Sequence, residues 1–245
     1  MRKILSYIIG ASMLVLMISC HSTSFISSPT SGFTHATLMR LRGFQDQRDS
    51  LLKANHMTKR EFIALSTDSA WSLSETDMAR LCQFRTSIAM PDSNTLLQKI
   101  IPLTDAAIYE ENKFGGTVGG FVSCAADTKK LNKMSEVYYG LRLDYEGTKH
   151  SLDGDGYAVI RFYSNFTDSL YIPFCKELGG PQPNDWPCTG GGFTSSSLGK
   201  GGFPEYAFKG YYKPREGAEI YYVTPKGKET LSSVFKNGRW QKVEK

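Results

Sequence analysis

The 245-residue chain contains 40% hydrophobic, 12% aromatic and 22% charged residues, which is typical of a protein that folds around its own core. The net charge of +5 is spread along the chain without a run of lysines or arginines, which argues against nucleic acid as a partner. Beyond residue 19 no segment is apolar enough for a transmembrane helix. Four scattered histidines without a Cys-x-x-Cys motif argue against a metal site.

Residues 1–19 have the pattern of a secretory signal peptide. The basic residues Arg2 and Lys3 precede an apolar run that is too short to span a bilayer. The segment 17–20 resembles the lipobox of bacterial lipoproteins, in which the cysteine is lipidated and becomes the first residue of the mature protein. The resemblance implies anchoring to a membrane through a lipid on Cys20, in the bacterial cell envelope, on its periplasmic or outer-surface face. The alternative is an ordinary signal peptide with an incidental cysteine.

The next part of the chain is predicted to be helical. Residues 20–35 are rich in serine and threonine and predict a flexible tether. From residue 36 to 103, apolar residues at spacings of three and four predict a helical segment. Thr58 and Ser74 each fit the start of a helix, and a last short helix is expected over 93–101, before a proline.

Residues 104–245 predict a strand-rich domain, because short aromatic and β-branched segments alternate with Gly, Asp, Asn and Pro. The expected strands are 121–123, 138–143, 157–163, 169–172, 206–211, 219–223, 232–236 and 239–243. The Asn237-Gly238 pair between the last two is a strong hairpin signal. The sequence therefore predicts an α+β fold, with N-terminal helices followed by an antiparallel β-sheet that is either continuous or split.

Four cysteines remain once Cys20 is assigned to lipid, and an even number favours disulfides in an exported protein. Cys175 and Cys188 flank a loop rich in Gly and Pro, so we expect them to pair. This pairing would leave Cys82 with Cys124. Four cysteines allow three pairings, and the sequence expresses only this preference.

A segment rich in glycines and hydroxyls, residues 187–206, is the first candidate for a binding site. Its glycines allow close approach of the backbone to a ligand, and Thr194 and Ser195 offer donors for phosphate or ribose oxygens. The spacing fits neither a Walker loop nor a dinucleotide-binding fingerprint. The alternative is a long surface loop held by a disulfide.

Three charged residues on predicted strands are further candidates. Arg142 and Arg161 alternate with apolar residues, so each arginine points to one face of the sheet, where it can clamp an anion. Alternatively, the arginines form structural salt bridges with Asp144 or Glu219. Glu219 follows a glycine turn, and it lies either at the floor of a cleft or in solvent.

The order of these elements resembles the C-terminal effector domains of bacterial polymorphic toxins. An arginine, a Phe-Thr strand at 193–194 and a late glutamate look like the Arg, Ser-Thr-Ser, Glu arrangement of ADP-ribosyltransferases. The Gly-Gly-Phe-Val-Ser motif at 119–123, with a glycine-rich turn before Glu205, is similar to necrotizing-toxin NAD glycohydrolases. The chain departs from the transferase pattern in two ways: its hydroxyl run reads Thr-Ser-Ser-Ser, and Glu219 lacks a second glutamate before it.

The resemblance implies cleavage of the nicotinamide–ribose bond, with NAD as the substrate and no prosthetic group. The resemblance implies that Arg142 or Arg161 holds the pyrophosphate and that Thr194 and Ser195 position the ribose. It implies that Glu219 or Glu205 stabilises the oxocarbenium-like transition state by its charge. A target protein or an immunity protein would be the partner. Since NAD is scarce outside the cytoplasm, such an enzyme would require delivery into another cell.

The competing hypothesis is a non-catalytic envelope lipoprotein that binds a protein or a glycan through aromatic-rich loops. Tyrosine doublets in predicted strands support it, because neighbouring residues of a strand point to opposite faces and one of each pair can be exposed. A degenerate toxin-like fold retained as a binding module would combine both hypotheses.

Overall fold

A computed structural model describes residues 32–67, 72–178, 180, 189, 191–196 and 202–244. The chain from Ser31 to Lys245 forms one compact unit. The described helices are α1 His35–Leu38, α2 Phe44–Ala54, α3 Lys59–Thr67, α4 Glu75–Thr86, α5 Leu103–Glu110 and α6 Met134–Gly140. The strands are β1 Leu97–Ile101, β2 Val118–Cys124, β3 Tyr157–Phe162, β4 Leu170–Tyr171, β5 Tyr206–Tyr212, β6 Glu219–Val223, β7 Glu229–Lys236 and β8 Arg239–Lys242. Among these described helices, none combines the length and the apolar character that crossing a membrane requires.

The predicted α+β fold is confirmed, with helices mostly N-terminal and an antiparallel sheet that curls into a half-barrel. The strand order is β4-β5-β2-β1-β3-β6-β7-β8. β1 and β3 pair over five residues, whereas β1 and β2 pair only through Leu97–Cys124 and Gln98–Ser123. β2 has a bulge in its pairing with β5 between Gly119 and Phe121, with Gly120 at φ +68°, in the part of the strand that does not pair with β1. The sheet therefore opens between β1 and β2 beyond Gln98.

Apolar side chains cover both faces of the sheet because they alternate along its strands. On one face, Ile160 of β3 and Ile220 of β6 pack in a cluster with residues of α5. On the other face, Val159 and Tyr221 pack with residues of α6. Burial of these side chains on both faces places β3 at the centre of the structure.

A separate cluster joins helices α2, α3 and α4 to the segment 191–196. Phe62 and Phe84 lie 5.0 Å and 5.8 Å, respectively, from the ring of Phe193, measured between ring centroids. All three phenylalanines are fully buried, and aromatic rings of this size dominate the energy of such a core. Packing against the helices therefore holds the backbone of Thr194 and Ser195 in place.

Local signals in the sequence predicted two helix starts and one hairpin correctly. The Thr58 hydroxyl accepts from the Glu61 N–H while the Glu61 carboxylate accepts from the Thr58 N–H, as a capping box requires. Ser74 caps α4 through the Asp77 N–H. Residues 237 and 238 have φ of +53° and +73°, as the tight turn between β7 and β8 demands.

Two predicted elements are wrong. The helix expected over 93–101 is replaced by strand β1, because Leu97 and Ile101 bury on one face while the whole segment pairs with β3. A short apolar run does not by its periodicity distinguish a strand from a helix. The strand expected over 138–143 is instead helix α6 and its C-terminal turn. Glu136 opens that helix by accepting from the Lys133 N–H at 3.3 Å.

The thiols of Cys82, Cys124 and Cys175 are free in the structure. The pairing of Cys82 with Cys124 is therefore not formed: the Cys82 thiol on α4 donates to the Leu178 carbonyl, and Cys124 is buried in β2. Cys188 and Cys20 lie outside the described residues. The expected disulfide of Cys175 with Cys188 is likewise not formed in the structure, because the Cys175 thiol is free. The lipid on Cys20 remains a prediction.

Candidate active site

A cavity of about 140 Å³ lies where the ladder between β1 and β2 ends, and we call it the Glu205 cavity. Its walls come from β1, β2, the segment 141–150 and the two short stretches that carry Thr194 and Glu205. The polar and aromatic residues that line it are Gln98, Lys99, Phe121, Ser123, Arg142, Tyr145, His150, Thr194 and Glu205. A cavity of this size holds one six-membered ring, since an engineered void of about 150 Å³ binds benzene.

Glu205 has a carboxyl group that changes charge near neutral pH. It lies one residue before β5, and its N–H donates to the Gly192 carbonyl at 3.0 Å. Burial raises its pKa from 4.5 to about 7, while hydrogen bonds from Thr189 and the positive charge of Arg142 act in the opposite direction. Both Thr189 donors, the N–H at 3.2 Å and the hydroxyl at 3.1 Å, bind Oε2. Such a carboxyl group can give or take a proton at neutral pH.

Arg142 has a strained backbone and a side chain held in place. Its φ of +54° lies in the left-handed region, which costs a non-glycine residue about 1 kcal/mol or more. Its Nε donates to Asp144 at 3.0 Å, and its terminal nitrogen donates to the Ser195 carbonyl at 3.1 Å. The guanidinium is therefore oriented at the cavity, where it can meet an anion.

Lys99 and His150 add two groups with shifted pKa values. Lys99 Nζ donates to the Phe121 carbonyl at 3.2 Å, across the open part of the sheet. Burial lowers the pKa of Lys99 to about 8, against the opposing charge of Asp105. Burial also lowers the pKa of His150; the charge of Asp105 opposes this shift and the charge of Lys99 adds to it, so the neutral imidazole is favoured. Clusters of shifted groups beside a cavity are typical of active sites.

Thr194 and Ser195 point to opposite sides of their segment. Thr194 lines the Glu205 cavity, and its hydroxyl accepts from the Phe203 N–H at 3.2 Å. The Ser195 hydroxyl instead lies 2.5 Å from the Ser66 hydroxyl of α3. Neighbouring residues of an extended segment alternate in direction, so the two hydroxyls cannot serve one ligand in the Glu205 cavity.

Arg161 and Glu219 lie elsewhere on the same face of the sheet. Strand register places Glu219, Arg161, Gln98 and Ser123 side by side on four neighbouring strands. At about 4.8 Å per strand, Glu219 lies about 14 Å from Ser123 at the cavity wall. Arg161 is one strand from Gln98 on the cavity wall, yet neither Arg161 nor Glu219 lines the cavity. The structure brings Arg142, Thr194 and Glu205 together there without these two residues.

Both of these residues hold the N-terminal end of the compact unit. Glu219 accepts from the N–H groups of Gly32 and Phe33 at 2.8 Å and 2.9 Å. Arg161 donates to the Phe33 carbonyl and forms a buried ion pair with Glu229, rather than with Glu219. The last residues of the predicted tether, 32–35, are thus bound to the sheet.

Sequence reasoning missed Lys99, His150, Ser123 and Gln98. Lys99 and Gln98 fell within a predicted helix, and His150 belonged to no recognisable motif. A strand pattern at 97–101 would have placed Gln98 and Ser123 on neighbouring strands. The shifted pKa values of Lys99 and His150, in contrast, arise from burial and from neighbouring charges that only the tertiary structure brings together.

Comparison of the chain with protein-family models finds no match, and comparisons with curated proteins and with solved structures find none either. The candidate site therefore rests on its own geometry. It combines a carboxyl group that titrates near pH 7, a neutral imidazole and an oriented guanidinium around a space for one ring.

Proposed function

We propose that the protein is an exported, lipid-anchored enzyme that cleaves the nicotinamide–ribose bond of NAD in the Glu205 cavity. The product ADP-ribose is either released by hydrolysis or transferred to a target. The observation that carries this proposal is the meeting of Arg142, Thr194 and Glu205, three residues that the resemblance to NAD-cleaving toxins had singled out, at one cavity. The raised pKa of Glu205 is a second observation that supports the proposal.

The size of the cavity favours entry of one end of the substrate. About 140 Å³ accommodates the nicotinamide ring and excludes the rest of the dinucleotide. Thr194 and Glu205 then lie near the ribose, and the Arg142 side chain, about one-third exposed, faces the pyrophosphate outside. A ring held in this way leaves the scissile bond at the cavity mouth.

The chemistry assigns Glu205 a charge role and a proton role. When the bond between C1′ of the ribose and the nicotinamide nitrogen breaks, its electron pair leaves with the nicotinamide. The positive charge that develops on the ribose is stabilised by the ionised carboxylate of Glu205. In hydrolysis, the oxygen of a water bonds to C1′ and its proton passes to that carboxylate.

Release of nicotinamide by the full chain, purified in a neutral detergent, tests the proposal. Glu205→Gln keeps the volume of the side chain and removes its charge, so we expect it to abolish release. Glu219→Gln is the matched control, because Glu219 holds the N-terminal segment. Retained release by Glu205→Gln, or loss in Glu219→Gln alone, would contradict the assignment. Mass spectrometry of the mature N-terminus tests the lipid on Cys20.

A non-catalytic binding function is the second candidate, and one observation favours it. Tyr211 on β5 is 67% exposed, so its ring is available for contact with a protein or a glycan. Failure of the protein both to release nicotinamide and to show a thermal shift on addition of NAD would support this alternative.

A further inference from the structure

The described residues enclose a second, larger cavity of about 380 Å³, which we call the basic cavity. It is lined by the first turns of α2 and α3, by the loop after β2 and by Ser195. The two cavities share no lining residue, and they meet at the segment 194–196, where Thr194 lines one and Ser195 the other.

Cations outnumber carboxylates around the basic cavity. Arg48, Lys59, Lys129 and Lys130 face two acidic residues, Asp46 and Asp127. The Asp46 carboxylate accepts from the Gly43 N–H at 2.8 Å and pairs with Lys129 at 3.0 Å, so it neutralises one cation. Asp127 accepts from the Phe44 N–H, and burial raises its pKa to about 6. The cavity keeps a surplus of positive charge.

The remaining cations are available to a ligand. Lys59 and Lys130 are exposed, and within the part of the chain that the structure describes neither has a hydrogen-bond or ion-pair partner. The Arg48 side chain is only 14% exposed: one terminal nitrogen donates to Gln45 Oε1 at 2.5 Å, and its Nε pairs at 3.4 Å with the carboxylate of Asp49, which is 84% exposed. Because the Arg48 guanidinium is largely buried and the carboxylate of Asp49 is well solvated, this ion pair compensates the charge of Arg48 only weakly. A second anion would therefore be favourable there.

The backbone adds to the positive potential around the basic cavity. α2 and α3 both present their first turns to the basic cavity, and the N-terminal end of a helix carries partial positive charge. The Ser195 hydroxyl on the wall is a further hydrogen-bonding group. Cations, helix N-termini and a hydroxyl together match the oxygens of a phosphate group.

We propose that the basic cavity binds the phosphate group of a small molecule, at a site distinct from the Glu205 cavity. The surplus of cations matches the charge of a phosphate dianion better than that of a single carboxylate. A volume of about 380 Å³ leaves room for a sugar attached to the phosphate. The site does not depend on the cleavage of NAD, because no residue of the Glu205 cavity lines it.

Isothermal titration of the full chain with inorganic phosphate, and separately with ADP-ribose, tests this site. We expect Lys59→Ala with Lys130→Ala to weaken phosphate binding by about tenfold, as the loss of two exposed charge contacts implies. The control is Lys226→Ala with Lys228→Ala, which removes the same charge from the exposed turn between β6 and β7. Both pairs are on the surface, so the variants should fold.

Three results would overturn the proposal: no binding of phosphate by the unchanged protein, no weakening by the first pair, or equal weakening by both pairs. Tighter binding of ADP-ribose than of phosphate, weakened by the first pair of substitutions, would identify a nucleotide-like ligand of the basic cavity. Equal affinities would identify the phosphate group alone as the ligand, and tighter binding of ADP-ribose that the first pair leaves unchanged would place ADP-ribose at the Glu205 cavity instead. Glu205→Gln should bind phosphate unchanged. This last measurement separates the failure of the basic cavity from a failure of the proposed cleavage.

Discussion

Replacing Glu205 by glutamine should change how the stability of the protein depends on pH. Burial raises the pKa of Glu205 from 4.5 to about 7, so the folded protein holds this proton more tightly than the unfolded chain does. Below pH 4.5 the carboxyl is protonated in both states, so its ionisation does not change the free energy of unfolding. Between pH 4.5 and about 7 the unfolded chain loses the proton first, and the free energy of unfolding falls as the pH rises.

The size of this effect follows from the two pKa values. Since one pKa unit corresponds to about 1.4 kcal/mol, the difference between 4.5 and about 7 corresponds to at most about 3 kcal/mol. Glu205→Gln does not titrate, so its stability should lack this contribution. The buried Asp127, whose pKa is also raised, is present in both proteins and cancels in the comparison.

Urea unfolding at pH 5 and at pH 8.5 measures the effect. The difference in free energy of unfolding between Glu205→Gln and the unchanged protein should shift by about 2–3 kcal/mol in favour of the variant at the higher pH. Glu146→Gln, which removes an exposed carboxylate, controls for the loss of one charge. A difference that stays constant with pH would refute the reasoning, because it would show that the Glu205 carboxylate is well solvated in the folded protein.

Four other changes test the site and its support. The value of kcat/KM for nicotinamide release should rise with pH up to about 7 and then level off, since the ionised Glu205 is the active form; a rate independent of pH would contradict this. Glu219→Gln should lower the free energy of unfolding in urea by about 1–2 kcal/mol, because it weakens two hydrogen bonds to the N-terminal segment, and an unchanged midpoint would argue that the segment is not bound there. Arg142→Gly should change the melting temperature little, because relief of its left-handed backbone offsets the lost hydrogen bonds, yet it should weaken NAD binding about tenfold by calorimetry; a large fall in melting temperature would assign Arg142 a structural role. Gly119→Ala should destabilise the protein by about 2 kcal/mol or more, since its Cβ would lie 2.5 Å from the Gly210 carbonyl, and a melting temperature equal to that of the unchanged protein would show that the strands can move apart.

Local interactions explain which elements the sequence predicted. The capping box of Thr58 and the turn at Asn237-Gly238 depend on residues within four positions of each other, and both form as expected. Segment 97–101 shows the opposite case. Its apolar residues suit a helix or a strand, and only the partner strand β3, about sixty residues later, makes it a strand.

The candidate site divides in the same way. The sequence by itself identified Arg142, Thr194 and Glu205 as residues with the right chemistry, but it grouped them with Arg161 and Glu219. Only the tertiary structure separates the two groups. Glu219 and Arg161 hydrogen-bond to the N-terminal segment, whereas the open ladder between β1 and β2 leaves a cavity beside Glu205. Residue type decides which group can exchange a proton, whereas burial and neighbouring charge, which depend on distant parts of the chain, decide at which pH it does so.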